Sequence, residues 1–268
     1  MGAPVTLTDL EPELAAVPGT VSVWYGPVGE DRPWYSRAAR VPHYAASMMK
    51  LAILAAAQRA HATGTLDLDA PVPVRDTFRS AAPGTPAYVL SHAPDDDPAV
   101  WARLGGTAPL RWLAERMIVT SSNLATNTVL AQVGIAAADR EWVLAGARDS
   151  RIRRGVEDLP ARTAGITNEV TAADLAALLG SIVADPWMRG TLEAQEHRAD
   201  LATGLPPGTR IAHKSGWVTG VRHAAGVVWR AGGCRYLLVV CTTTTLPDVA
   251  ARRLLARVAA ISFEQPGG

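Results

Sequence analysis

The segments of this 268-residue chain that pattern as strands lie at its two ends, and the stretch between them patterns as helix. This constrains the fold more than any other feature. The two termini must share one sheet, and the middle of the chain is a helical insertion into it. Near the N-terminus, residues 20–25 alternate, with Val21, Val23 and Tyr25 on one face and Ser22 and Trp24 on the other. That period of two is the mark of a half-buried strand. Residues 32–38 read as its hairpin partner across Gly26-Pro27-Val28-Gly29. Near the C-terminus, residues 222–229 and 235–241 flank Ala231-Gly232-Gly233, a second hairpin signal. Helices are expected over 8–16, capped by Thr8 and Asp9, and over 47–61, 110–120, 124–133, 137–145, 172–183 and 247–263. Residues 80–98, rich in Pro, Gly and Asp, read as a loop, and residues 148–167 as a long ordered one. The expected organisation is one domain over 1–268. Its sheet part comes from 1–60 and 205–268, and its helical part from 61–204.

Composition sharpens the reading at one point. Only two of the 26 Lys and Arg residues are lysine: Lys50, in Ser47-Met48-Met49-Lys50, and Lys214, in Lys214-Ser215-Gly216. A bias toward arginine codons explains the scarcity but not the placement of both survivors beside serine. Arg cannot replace Lys where an amine must lose a proton or act as a compact point charge. The net charge of +1 gives no attraction to nucleic acid or membrane. Arg151, Arg153 and Arg154 read as a solvated loop, not a phosphate site. No apolar run is long enough to span a bilayer, and the N-terminal segment has no basic-then-apolar export signal, so a cytoplasmic location is expected. Cys234 and Cys241 fall in one expected strand, about 23 Å apart, beyond disulfide reach, and both read as buried. The six histidines show no zinc spacing, and no Gly-rich phosphate loop occurs. No metal or cofactor is expected; His213 and His223 read as packing or hydrogen-bonding residues.

Three short motifs carry chemistry. Ser47 and Lys50 stand three apart at a helix start, so hydroxyl and amine share a face, in the positive field of the helix N-terminus. Ser121-Ser122-Asn123 follows a helix and would by itself be a capping sequence. Lys214-Ser215-Gly216 precedes the C-terminal hairpin, and Gly216 would let a ligand backbone approach closely. Each is weak alone. In this order, Ser-x-x-Lys, Ser-x-Asn and Lys-Ser/Thr-Gly form the signature of serine β-lactamases and penicillin-binding proteins, and the chain resembles the class A β-lactamase branch. Met117-Ile118 and Ser121-x-Asn123-x-Ala125-x-Asn127 extend the match, which covers nearly the whole chain.

The resemblance implies an α+β fold of the β-lactamase/DD-peptidase type: a five-stranded antiparallel sheet flanked by helices, an all-helical subdomain, and the site between them. It implies Ser47 as the nucleophile that forms an acyl-enzyme, Lys50 as its activating base, and Ser121 as proton relay to the leaving nitrogen. Asn123 would bind the substrate amide, Lys214 would supply positive potential, and Ser215 would hold a substrate carboxylate. The backbone N–H groups of Ser47 and Trp217 would form the oxyanion hole. Small molecules carrying a carboxylate are the expected partners.

The sequence departs from the family pattern where deacylation is concerned. Glu157 is the candidate base, against the alternative of a plain surface carboxylate, with Asp158 next in line. The family's Asn four residues after that Glu is Ala161 here, while Asn127 matches the residue that steadies the Glu. Ser122 replaces the usual Asp, and Ala224 stands where relatives often have Asp. Arg222 is a candidate carboxylate ligand or a structural salt bridge. Three activities fit these features: β-lactam hydrolysis, acyl transfer or hydrolysis on another amide or ester, and a sensor that acylates and stalls.

Overall fold

The computed structural model describes residues 5–92 and 97–265. Five strands form the main sheet: β1 (Gly19–Pro27), β2 (Tyr35–Arg37), β3 (Ile211–Val218), β4 (Val221–Trp229) and β5 (Arg235–Thr244). Their order is β2-β1-β5-β4-β3 and every pairing is antiparallel. The first long strand pairs with the last over its whole length, from Gly19 opposite Thr244 to Pro27 opposite Tyr236. The two ends of the chain therefore do share one sheet. The eight principal helices are α1 (Glu11–Ala15), α2 (Lys50–Ala62), α3 (Leu110–Val119), α4 (Asn123–Val133), α5 (Ile135–Leu144), α6 (Ala172–Ile182), α7 (Pro186–Glu193) and α8 (Asp248–Glu264).

The sheet separates two apolar layers. One face packs against α1 and α8 through Leu7, Leu14, Val23, Tyr236, Leu255 and Val258. The other faces the helical part, and there α2 is the central element: Leu51 to Ala57 are all buried, as befits a helix that is apolar all round. Helix α6, which the sequence groups with the helical segment, lies against β5, β4 and β1. No helix among the described residues is long and apolar enough to cross a membrane.

Several expectations are corrected in detail. The helix expected from residue 47 opens instead as a 3₁₀ turn, Ala46–Met49, before α2 begins at Lys50. Helix α1 has no side-chain cap, and the Asp9 carboxylate takes the N–H and hydroxyl of Thr6 instead. Within the expected loop 80–98, Tyr88–Val89 pairs with Thr77–Phe78; residues 93–96 of that loop lie outside the described residues. Helix α7 was not anticipated, although Asp185 caps it and Pro186 occupies its first turn, the usual start signal. Cys241 is buried in β5, but Cys234 lies before that strand and is exposed. Arg154 is no solvated loop residue: it is 2% exposed.

The long segment after α5 is ordered by side chains that accept backbone N–H groups, since it has little regular structure of its own to satisfy them. The Asp174 carboxylate accepts from Arg148, Asp149 and Ser150, and Asn168 Oδ1 accepts from Arg153 and Arg154. A single helical turn, Leu159–Thr163, interrupts it.

Candidate active site

The three motifs meet at the junction of sheet and helices. Ser47 sits in the 3₁₀ turn Ala46–Met49, where residues three apart eclipse one another, so Ser47 and Lys50 project together. Ala46, just before it, has φ 45°, a left-handed conformation that costs a non-glycine residue roughly 1 kcal/mol or more. The turn packs directly on β3. A Cβ at Gly216 would lie 2.9 Å from Ser47 N and 3.1 Å from Met48 N. The close backbone approach expected at Gly216 is thus to the serine turn of the protein itself.

Both lysines are fully buried and converge on one hydroxyl. Ser121 Oγ accepts from Lys50 Nζ at 3.1 Å and from Lys214 Nζ at 3.1 Å, and it lies 3.1 Å from Ser47 Oγ. Lys50 Nζ also donates to Ser121 O at 2.5 Å and to Asn123 Oδ1 at 3.0 Å; Lys214 Nζ donates to Ser215 O at 2.7 Å. Ser121 takes part through strained backbone, with φ 63°. Ser122, where relatives carry Asp, caps α4 by accepting the Ala125 N–H at 3.1 Å, a task either side chain performs. Burial, and then the neighbouring Lys50 charge, hold the Lys214 amine well below the usual lysine range. Two like charges in one dry site oppose each other.

Glu157 enters from the long loop. Asn123 Nδ2 donates to its Oε1 at 2.9 Å, and the residue has φ 59°. Asn127 holds the preceding residue at both ends: its Oδ1 accepts the Val156 N–H at 2.8 Å and its Nδ2 donates to Val156 O at 2.9 Å. Three of the four non-glycine residues with positive φ among those described, Ala46, Ser121 and Glu157, surround this one cleft. Strain of that kind gathers at functional sites. Asp158, the alternative base, is turned away. It is buried, caps the turn Leu159–Thr163, and accepts from Ser80 Oγ and Ala81 N at 2.7 Å each. Ala161 is buried and has no polar side-chain atom to offer a water.

Arg222 realises the structural alternative. Its Nε and Nη2 meet the two oxygens of buried Asp200 at 2.8 and 3.1 Å, and Nη1 meets Asp248 at 3.0 Å. The Trp217 ring stacks over its guanidinium at 4.7 Å. Ser215 is buried, its hydroxyl 3.5 Å from His197 O. Ala224 packs in the core opposite Ser215.

Two supporting residues escaped the sequence reading. Gln195, with its amide oriented to satisfy both ends, accepts from Lys214 Nζ at 3.1 Å and Ser215 N at 3.3 Å, and donates to Ile118 O and Val119 O. The His197 ring meets Thr120 O through Nε2 at 2.9 Å and packs edge-on against Trp217. The segment that carries them has no motif or period to flag it.

Three histidines lie behind the site. Burial pushes His43 and His223 down to about 4 and His213 to about 3. His223 Nε2 lies 2.9 Å from Tyr44 O, and its Nδ1 accepts the Thr242 N–H at 3.1 Å, which fixes the neutral tautomer. His43 is bonded to Thr243 Oγ1 and Ser22 Oγ, while His213 is buried on β3 with neither ring nitrogen bonded to protein. Among the described residues no group of three or more His, Cys, Asp or Glu is placed to hold a metal ion.

A cavity of about 480 Å³ opens over Ser47, lined also by Asn123, Glu157, Asn168 and Trp217. It is the space a substrate would fill.

The fold agrees with that of other solved proteins. Structures sharing the fold include PBP-A, at 20% identity over 98% of both chains with a TM-score of 0.79. A beta lactamase from Xanthomonas campestris pv. campestris shares 20% identity over 97% of this chain and 98% of its own, at 0.81. A beta-lactamase from Sphaerobacter thermophilus shares 21% over 95% of each, at 0.77. No curated protein sequence matches the chain. The family model of the beta-lactamase enzyme family matches residues 6–265. The chain therefore belongs to the beta-lactamase enzyme family.

Proposed function

We propose that this protein is a serine hydrolase that opens a β-lactam, or a chemically similar amide or ester, through an acyl-enzyme on Ser47. The observation that carries this reading is the shared hydroxyl: Ser121 Oγ is bonded by both lysine amines and lies 3.1 Å from Ser47 Oγ. As Ser47 Oγ attacks the carbonyl carbon, its proton passes through Ser121 to the neutral amine of the lysine pair. The new C–O bond forms, charge collects on the carbonyl oxygen, and the N–H groups of Ser47 and Trp217 receive it. When the C–N or C–O bond to the leaving group breaks, the stored proton returns through Ser121 to that group. Asn123 orients the substrate amide, and Lys214 with Ser215 provides the positive end of the site for a carboxylate. Glu157 then takes a proton from the water that hydrolyses the ester. A variant of the similar PBP-A is described as an acyl-enzyme complex with penicillin G, which favours a β-lactam as the first substrate to try.

Glu157 stands at the site, but Ala161 replaces the amide that would share its water. Deacylation is therefore the slow half of the cycle. The test is labelling with a fluorophosphonate and peptide mapping. Label on Ser47 alone, absent in Ser47→Ala, supports the reading; label on another serine, or none, contradicts it.

A further inference from the structure

Two arginines line the cavity over Ser47, and the mechanism uses neither. Arg154 is 2% exposed, yet all its bonds are to neutral groups: Nε to Ile166 O at 3.0 Å, Nη1 to Gly155 O at 3.1 Å and Nη2 to the Tyr44 hydroxyl at 2.9 Å. Arg162 is exposed at the cavity mouth and makes no salt bridge among the described residues. Glu157 is the one acidic residue in the cavity lining, and its carboxylate accepts from Asn123. Between these charges the rim is aliphatic. Val89, Leu159 and Val218 all line the cavity and are 64%, 61% and 46% exposed.

With Arg154 and Arg162 set against Glu157 alone, the cavity lining carries an excess of positive charge, and a dry site transmits that field further than water does. An anion entering the cavity is therefore attracted, and a planar carboxylate suits a guanidinium fork. An apolar linker would cover the exposed aliphatic rim. We infer that the acyl side chain of the substrate is apolar and carries an acidic group, which Arg154 and Arg162 recognise on the Glu157 loop. With the carboxylate assigned to Lys214 and Ser215 on β3, the substrate is a dianion. The inference rests on the acyl-transfer reading for the orientation of the substrate; the anion site itself can be tested without turnover.

The probes are phenylmalonate and phenylacetate, which differ by one carboxylate, titrated into the full chain with amide chemical shifts as readout. Phenylmalonate is expected to bind about fivefold tighter or more, to shift residues of the 154–162 segment, and to lose its advantage in Arg162→Glu and in Arg154→Gln. If Arg154→Gln does not fold, Arg162→Glu decides alone. Equal affinity for the two acids, or a preference that survives Arg162→Glu, overturns the inference. Acylation is followed separately with benzylpenicillin and its α-carboxy derivative. A rate ratio favouring the dianion that falls in Arg162→Glu supports the inference, and an unchanged ratio counts against it. Failure of both to label Ser47 removes the acyl-transfer reading, while the titration still decides whether the anion site exists.

Discussion

A methyl group on Gly216 would stand 2.9 Å from the backbone nitrogen of Ser47. The third motif therefore sets the position of the first: without a side chain at 216, β3 lies against the turn that carries Ser47 and its N–H. Gly216→Ala must displace backbone, since the two nearest atoms are the backbone nitrogens of Ser47 and Met48. The expected result is a loss of about a hundredfold in acylation rate, the scale of one misplaced oxyanion donor, in a protein that remains folded by circular dichroism. An acylation rate equal to the parent's would show that the N–H of Ser47 plays no part.

The lysine pair makes a second prediction. Lys50→Arg should abolish acylation, because arginine keeps its proton at every working pH, whereas Lys214→Arg should be milder, since a positive charge is what that buried position supplies. On the proposed mechanism acylation requires a neutral Lys50 amine, so its rate should fall as pH drops through the pKa of that amine and level off above it. Stopped-flow acylation rates across pH test both points, and a flat profile would contradict them.

Most of the frame was legible in the sequence because it depends on periodicity. Alternation marked β1, apolar helical runs marked α2 to α6, and the shared terminal sheet followed from their order. The two lysines stood out because a chain with only two shows where each one goes, while Ser121 and Asn123 were singled out only by the resemblance that the three motifs carry in order. What was not legible depends on tertiary contact. Gln195 and His197 reach the site from a segment without pattern, and the burial of Arg154 depends on Tyr44, 110 residues away in sequence. The left-handed backbone at Ala46, Ser121 and Glu157 is invisible because none of these residue types favours it. Asp158 and Glu157, neighbours in sequence, differ only in which way the strained loop turns them.

Arg222 separates a structural from a binding role. Removing one partner of a buried ion pair typically costs about 3–5 kcal/mol. Arg222→Ala is therefore expected to lower the melting temperature strongly through the orphaned Asp200, in a scan without ligand. An unchanged melting temperature with a raised KM would instead assign Arg222 to substrate binding.

The buried histidines predict acid sensitivity. His43, His213 and His223 have folded-state values of about 4, 3 and 4, below the ordinary histidine value of about 6.5. The unfolded chain thus binds protons that the folded chain refuses. The stability due to keeping them neutral is complete above about pH 6.5 and is lost as pH falls toward 4, at up to about 1.4 kcal/mol per pH unit for each group. Denaturant midpoints between pH 7 and 4.5 should fall steadily, and less steeply in His223→Gln. A midpoint independent of pH over that range would contradict the burial of these rings as neutral groups.

The most direct measurement is the intact mass of the protein during incubation with benzylpenicillin, taken over time for the parent, Ser47→Ala and Glu157→Gln. The expected result is one covalent adduct per chain, absent in Ser47→Ala, that decays slowly in the parent. In Glu157→Gln it should decay about a hundredfold more slowly, the usual contribution of a general base. An adduct that persists in Ser47→Ala, or no adduct at all with the penicillin left intact, would contradict the assignment of Ser47 as the nucleophile of this site.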